Sequence, residues 1–198
     1  MDYLHIRRAI LSVTDKTGLI EFASYLAQHN VELVSTGGTQ KRLAQAGLEA
    51  TPVSEVTRFP EILDGRVKTL HPAIHAGVLA RKDDPLHLQT LADLEIKPFD
   101  LVCVNLYDFS GALHGGFSLE QTVEAIDIGG PCLLRAAAKN FQHVLVLPEP
   151  GLYEAAKREL EAHDFAVPAG FRQAMAARTF ELVSRYDALI ASWLRPLE

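Results

Sequence analysis

The chain has 198 residues, with 19 Lys and Arg against 25 Asp and Glu for a formal net charge of −6, and 48% of them are hydrophobic. That size and composition suit one well-buried domain over residues 1–198 and exclude the general basic footprint of a nucleic-acid or anionic-membrane binder. Cys103 and Cys132 sit in apolar surroundings without C-x-x-C spacing and read as reduced and buried, no signal-peptide h-region opens the chain, and no run of about 18 apolar residues exists, so a soluble cytoplasmic protein is expected.

Ala9 to Val13 is a short apolar run suited to a strand buried on both faces. A polar turn, Thr14 to Gly18, leads to Leu19, Ile20, Phe22, Ala23, Leu26 and Ala27 at helical spacing. Val31 to Val34 reads as the second strand. The Ser35-Thr36-Gly37-Gly38-Thr39 turn follows, then a helix from Lys41 to Ala46 that stops at Gly47. An extended piece, Ala50 to Val53, leads into a long irregular segment, Ser54 to Leu70, whose Phe59, Ile62, Leu63, Val67 and Leu70 favour an ordered loop. Helices are expected from His71-Pro72 to about Ala80 and from Asp84-Pro85 to about Leu94. Phe99 to Leu106 is the clearest strand. A Gly111 to Gly116 turn precedes a helix marked by Ser118 and Gln121, spaced as in a capping box. Pro131 and the Leu-Leu-Arg-Ala-Ala-Ala-Lys run predict a helix after Asp127. A strand, His143 to Leu147, and two amphipathic helices, about Gly151 to His163 and Ala169 to Leu194, complete the chain. The alternation predicts a three-layer α/β/α sandwich with a mostly parallel sheet.

Ligands of such sheets sit beyond the carboxyl ends of the strands. That rule selects Lys16, Thr36, Gly37, Gly38, Asn105, Tyr107 and Asp127, to which the long loop adds Arg66 and Lys68. The 35–39 turn offers small residues and free N–H groups at a helix start, as phosphate sites do, but it is neither a P-loop nor a dinucleotide fingerprint, and a purely structural glycine turn fits as well. Arg66 and Lys68 flank Val67, so an extended backbone points both to one side, although a solvated basic loop has the same spacing. His71 and His75 lie at i, i+4 without an evident third ligand, so no metal is expected. Asp127 precedes a helix start, where an anion is favoured, and Lys139 lies near its end; a capped core helix with a snorkelling lysine reads the same way.

Ser-Val-Thr-Asp-Lys-Thr-Gly (12–18), Ser-Thr-Gly-Gly-Thr (35–39), Gly-Arg-Val-Lys-Thr-Leu-His-Pro (65–72), Val-Asn-Leu-Tyr (104–107) and Asp-Ile-Gly-Gly…Arg-Ala-Ala-Ala-Lys-Asn (127–140) together resemble the inosine monophosphate cyclohydrolase domain, commonly the N-terminal part of a bifunctional purine-synthesis enzyme. The resemblance implies a methylglyoxal-synthase-like fold and closure of 5-formamidoimidazole-4-carboxamide ribotide to inosine monophosphate and water, without cofactor or metal. It places Ser12, Thr14, Lys16, Thr36, Gly37, Gly38 and Thr39 on the ribose-phosphate. It places Arg66, Lys68, Thr69, Asn105, Tyr107, Asp127 and Lys139 around the base, with Ile128, Gly129 and Gly130 among the substrate-binding residues. Asp108 stands where the family usually has Pro, which alters the loop or adds a charge. The transformylase domain of the family is not among these 198 residues, so a separate transformylase protein is one possible partner and a homodimer another.

For that reaction, Asp127 is expected to take the carboxamide proton and Lys68 to polarise the carboxamide or the oxyanion. Tyr107 would bond the formyl oxygen, and Lys139 would donate the proton that lets water leave. A helix from Gly130 to Lys139 rises roughly 13 Å, so Lys139 reaches Asp127 only if its side chain runs back or the helix is short or tilted. Methylglyoxal synthase and a nucleotide-sensing regulatory domain are the alternatives on the same fold.

Overall fold

The computed structural model describes residues 2–195. Among the described residues, seven strands and ten α-helices follow in order: β1 (Tyr3–His5), β2 (Arg8–Ser12), α1 (Leu19–Gln28), β3 (Glu32–Ser35), α2 (Gly37–Gln45), β4 (Thr51–Pro52), α3 (Val53–Thr57), α4 (Pro72–Leu79), α5 (Pro85–Asp93), β5 (Leu101–Val104), α6 (Phe109–His114), α7 (Leu119–Glu124), α8 (Gly129–Lys139), β6 (Leu145–Leu147), α9 (Tyr153–Ala162), β7 (Ala166–Pro168) and α10 (Ala169–Leu194). Five strands form a parallel sheet in the order β4-β3-β2-β5-β6. Ala9 pairs with both Leu33 and Leu101, which makes β2 the centre.

All residues of β5 and β6 are buried, as strands covered on both faces must be. α8 packs on β5 and β6 and is itself packed by α4 and α10. Tyr153, opening α9, stacks on Phe22 of α1 at 4.7 Å, and its hydroxyl meets the buried Cys103 Sγ of β5 at 3.3 Å. Burial pushes the Cys103 thiol up to about 12, which leaves it inert. Cys132 is only half-buried, short of the burial its sequence context suggests.

The structure departs from the sequence reading in four places. α2 begins at Gly37 rather than Lys41, because the Thr36 carbonyl already accepts from the Thr39 and Gln40 N–H groups. The Gly111 to Gly116 stretch is helical to His114, since Asp108 Oδ1 caps the Gly111 N–H at 2.9 Å. Asp108 is exposed and works as that cap. The long loop is ordered but not wholly irregular: α3 opens it, and a bridge between Ile62 and Val67 closes a short 3-10 turn, Leu63–Gly65. Finally, β1 and β7 pair antiparallel as a separate two-stranded sheet, with Leu4 opposite Val167. The Ser118 and Gln121 capping box forms in full.

Candidate active site

Strands β2, β3 and β5 end side by side, and their following loops surround one hollow of about 690 Å³. That volume lies within the usual range for small-molecule sites. The position is the strand-tip crevice beside the central strand, where the chain steps from one side of β2 to the other.

Ser12, Thr14 and Lys16 line it from β2. Thr36, Gly37, Gly38 and Thr39 line it from β3, and Asn105 and Tyr107 from β5. Gly37 and Gly38 are the first two helical positions of α2, whose N–H groups have no partner within a helix. Gly37 has φ +31°, inside the left-handed region that glycine tolerates. Ser12 Oγ and Thr36 Oγ1 are 2.7 Å apart. The Thr39 hydroxyl accepts from Val13 N at 3.0 Å and donates to Val13 O at 2.9 Å, while its N–H bonds Thr36. Thr39 therefore braces the turn, with both its polar groups engaged. Asn105 is only 8% exposed: its Oδ1 accepts from the Thr14 N–H, the Thr14 hydroxyl and the Asp15 N–H, and its Nδ2 donates to Asp15 O. It holds the 14–15 turn in place. Lys16 Nζ donates to the Val13 and Thr14 carbonyls at 3.2 Å each, two of the three bonds an ammonium can make.

The opposite wall carries the remaining groups. Arg66, Lys68 and Thr69 come from the long loop, and Asp127, Ile128, Gly129 and Gly130 from the start of α8. Lys68 Nζ donates to Gly65 O at 2.7 Å. Arg66 Nε lies 3.4 Å from Glu124 Oε1 across the mouth, an exposed pair of little energetic weight. Asp127 Oδ1 accepts from the Gly130 N–H at 2.8 Å, which places the carboxylate at the positive end of α8. Burial nevertheless pushes the Asp127 carboxyl up, against the downward pull of the Gly130 bond and of Lys68. Burial, Asp127 and Glu124 raise the Tyr107 phenol, so it stays protonated and can donate.

Lys139 does not join this group. It ends the 11-residue α8, roughly 15 Å of helical rise from Gly129, and lines a second hollow with Arg81, His87 and His143. Its side chain is exposed there, so the expected meeting of Lys139 with Asp127 fails on helix length. His71 serves the fold instead, because its Nδ1 accepts from the Ala73 N–H and caps α4.

The charged lining residues that sequence reasoning missed are all acidic. Glu61, Asp64 and Glu124 line the hollow, so its cations are matched by carboxylates rather than in excess. The exposed Glu61 carboxylate stands 3.8 Å from where a Cβ on Gly37 would lie, so an acidic side chain neighbours the 36–39 turn. The capping box that starts α7 could have flagged Glu124, three positions before Asp127. Glu61 and Asp64 carry no such signal.

Gly130 admits no side chain. A Cβ there would stand 2.3 Å from Asp127 Oδ2 and 2.9 Å from Leu106 Cδ2. Gly130→Ala should therefore swing the carboxylate aside and lower turnover about 100-fold, with the far-ultraviolet circular dichroism unchanged.

Fold and hollow together define an α/β sandwich whose ligand crevice is assembled from strand-tip loops. The family model described as MGS-like domain matches residues 18–132, and the one described as AICARFT/IMPCHase bienzyme matches residues 137–198. The chain is 53% identical over 192 residues to the bifunctional purine biosynthesis protein PurH of Lacticaseibacillus paracasei, covering 96% of this chain and 37% of that protein. The PurH of Chelativorans sp. is 50% identical, over 97% of this chain and 36% of its own length. The crystal structure of ForH superposes with a TM-score of 0.81 at 34% identity, covering 94% of this chain and 97% of that one. The chain belongs to the MGS-like domain family. It spans little more than a third of the curated relatives it matches.

Proposed function

We propose that this chain is an inosine monophosphate cyclohydrolase over residues 1–198, closing 5-formamidoimidazole-4-carboxamide ribotide to inosine monophosphate and water in the cytoplasm. The observation that carries the reading is the single hollow in which Asp127, Lys68 and Tyr107 face the phosphate-type turn 36–39. The purine-synthesis relatives and the bienzyme match over the C-terminal third support it.

In this reading the ribose-phosphate lies on the Gly37 and Gly38 N–H groups with Ser12, Thr14, Thr36 and Lys16 around it. The base lies against Arg66, Thr69, Asn105 and the 128–130 backbone. The two reacting groups are already tethered on one ring, so the protein's contribution is to select the rotamer, move protons and stabilise the oxyanion. Asp127 takes a proton from the carboxamide nitrogen as that nitrogen bonds the formyl carbon. Tyr107 and Lys68 donate to the formyl oxygen as negative charge builds on it. Lys68 protonates that oxygen and Asp127 returns the carboxamide proton to it, so it leaves as water while the formamide nitrogen forms the ring C=N bond and passes its proton back to Lys68. The raised Asp127 carboxyl makes a stronger base than an ordinary aspartate, which suits an amide proton. Lys68 takes over the acid role that Lys139 is too distant to fill.

The formylated substrate comes from a formyl-transfer enzyme, and a homodimer is the simplest assembly. Purified chain given the formylated ribotide should produce the ultraviolet spectrum of the purine product, and no change at high enzyme concentration removes the proposal. Lys16→Ala should raise KM about 10- to 100-fold with little change in kcat, the worth of a charge-assisted bond to phosphate. An unchanged KM would detach Lys16 from the phosphate.

A further inference from the structure

The backbone of Asp127 is held by the last helix of the chain. The Tyr186 hydroxyl, on α10, accepts from the Asp127 N–H at 2.8 Å and reaches the Ala125 carbonyl at 3.4 Å. A phenol both accepts and donates, so one oxygen closes both ends of the turn between α7 and α8. Tyr186 is 9% exposed and meets Phe109 of α6 edge-on at 6.3 Å, and Phe109 meets Trp193 of α10 in the same way at 5.5 Å. The ring is thus fixed by apolar contacts independent of its hydroxyl.

We propose that Tyr186 is a positioning residue for the ring-closing reaction, holding the Asp127 backbone from α10 so that the carboxylate keeps one direction and stays shielded from water. The inference rests on the cyclohydrolase reading above. Its geometry is tight: Asp127 Oδ1 is bonded to Gly130 N, and Oδ2 fills the space a Gly130 Cβ would need. The titratable and charged groups facing Asp127 are Lys68 from the long loop, Tyr107 after β5 and Tyr186 on α10; behind them Glu124, at the end of α7, acts on Tyr107 and Asp187 acts on Tyr186. Lys68 is the one cation of that set, and burial outweighs it in setting the acidity of the carboxyl. A slackened 125–127 turn admits water, relieves the burial and makes Asp127 more acidic.

Tyr186→Phe deletes one oxygen and keeps the ring. Its kcat should fall about five- to tenfold, KM should stay within about twofold, and the acid limb of the kcat–pH profile should move to lower pH. Tyr25→Phe is the matched control, because the Tyr25 hydroxyl is buried without a hydrogen-bond partner among the described residues. It should leave kcat and the acid limb at wild-type values. 3-Fluorotyrosine at position 186 keeps shape and hydroxyl but makes a poorer acceptor, and should move the limb in the same direction by less. It decides the question if the Phe variant does not fold. Carbon-13 titration of the Asp127 carboxyl reads the same shift without substrate, so an inert wild type would overturn the cyclohydrolase reading and leave this test standing. Wild-type kcat and acid limb in both position-186 variants, with only Tm changed, would overturn the positioning role.

Discussion

Asp127→Asn should fold at least as stably as the wild type while closing the ring about 10²–10⁴-fold more slowly. Asparagine keeps an oxygen for the Gly130 N–H but cannot take a proton. Burial raises the folded-state carboxyl above its ordinary 3.8, so the native state binds a proton at a pH where the unfolded chain has released it. Stability contributed by this group therefore falls as pH rises from about 3.8 through the raised value, and the ionised form at neutral pH carries a penalty. The asparagine variant lacks that penalty. Urea unfolding at pH 7 should show the variant equal or more stable, and the difference should vanish below about pH 3.8. A variant with wild-type turnover, or one clearly less stable at neutral pH, contradicts the role given to Asp127.

Arg172→Met should lower stability by about 3 kcal/mol, for one buried and two part-buried carbonyls lose a donor at once. Arg172 is 0% exposed, and its guanidinium donates to Phe141 O at 2.9 Å, Gln142 O at 3.2 Å and Val167 O. It joins α10 to β7 and to the turn before β6. Methionine matches the stem of the side chain but supplies no N–H. For a chain of this length the loss corresponds to a Tm lower by roughly 6–12 °C, measurable by calorimetry. A shift below about 2 °C would mean that water reaches those carbonyls.

The parallel sheet was legible because its strands are apolar runs bounded by polar turns, and each carried its own boundary signals. The site was legible for a related reason: residues after strand ends must converge in this topology, so Thr36, Asn105, Tyr107 and Asp127 could be grouped before any coordinate. Lys139 misled because a motif contiguous in sequence is stretched along a helix, and 11 residues of α8 separate its two ends. β1 and β7 were invisible because each is three residues long and pairs across more than 160 positions, with little alternation to read in Tyr3–His5. α6 was hidden by its glycines, Gly111 and the neighbouring Gly115, which look like a turn until the Asp108 cap is seen. Tyr186 offered no signal at all, since an aromatic on an amphipathic helix is ordinarily core.

The small β1–β7 sheet also decides what could be cut from this protein. Tyr3 pairs with Pro168 at the very start of α10, and the Asp2 carbonyl accepts from the Ala169 N–H. The helix that steadies Asp127 is thus moored by the first residues of the chain. Residues 18–132, recognisable by likeness to the MGS-like family, include every lining residue but Leu133 and those of the Ser12–Lys16 turn, yet exclude both moorings. Excising that stretch as a minimal catalyst would keep Asp127 and discard the scaffold that aims it.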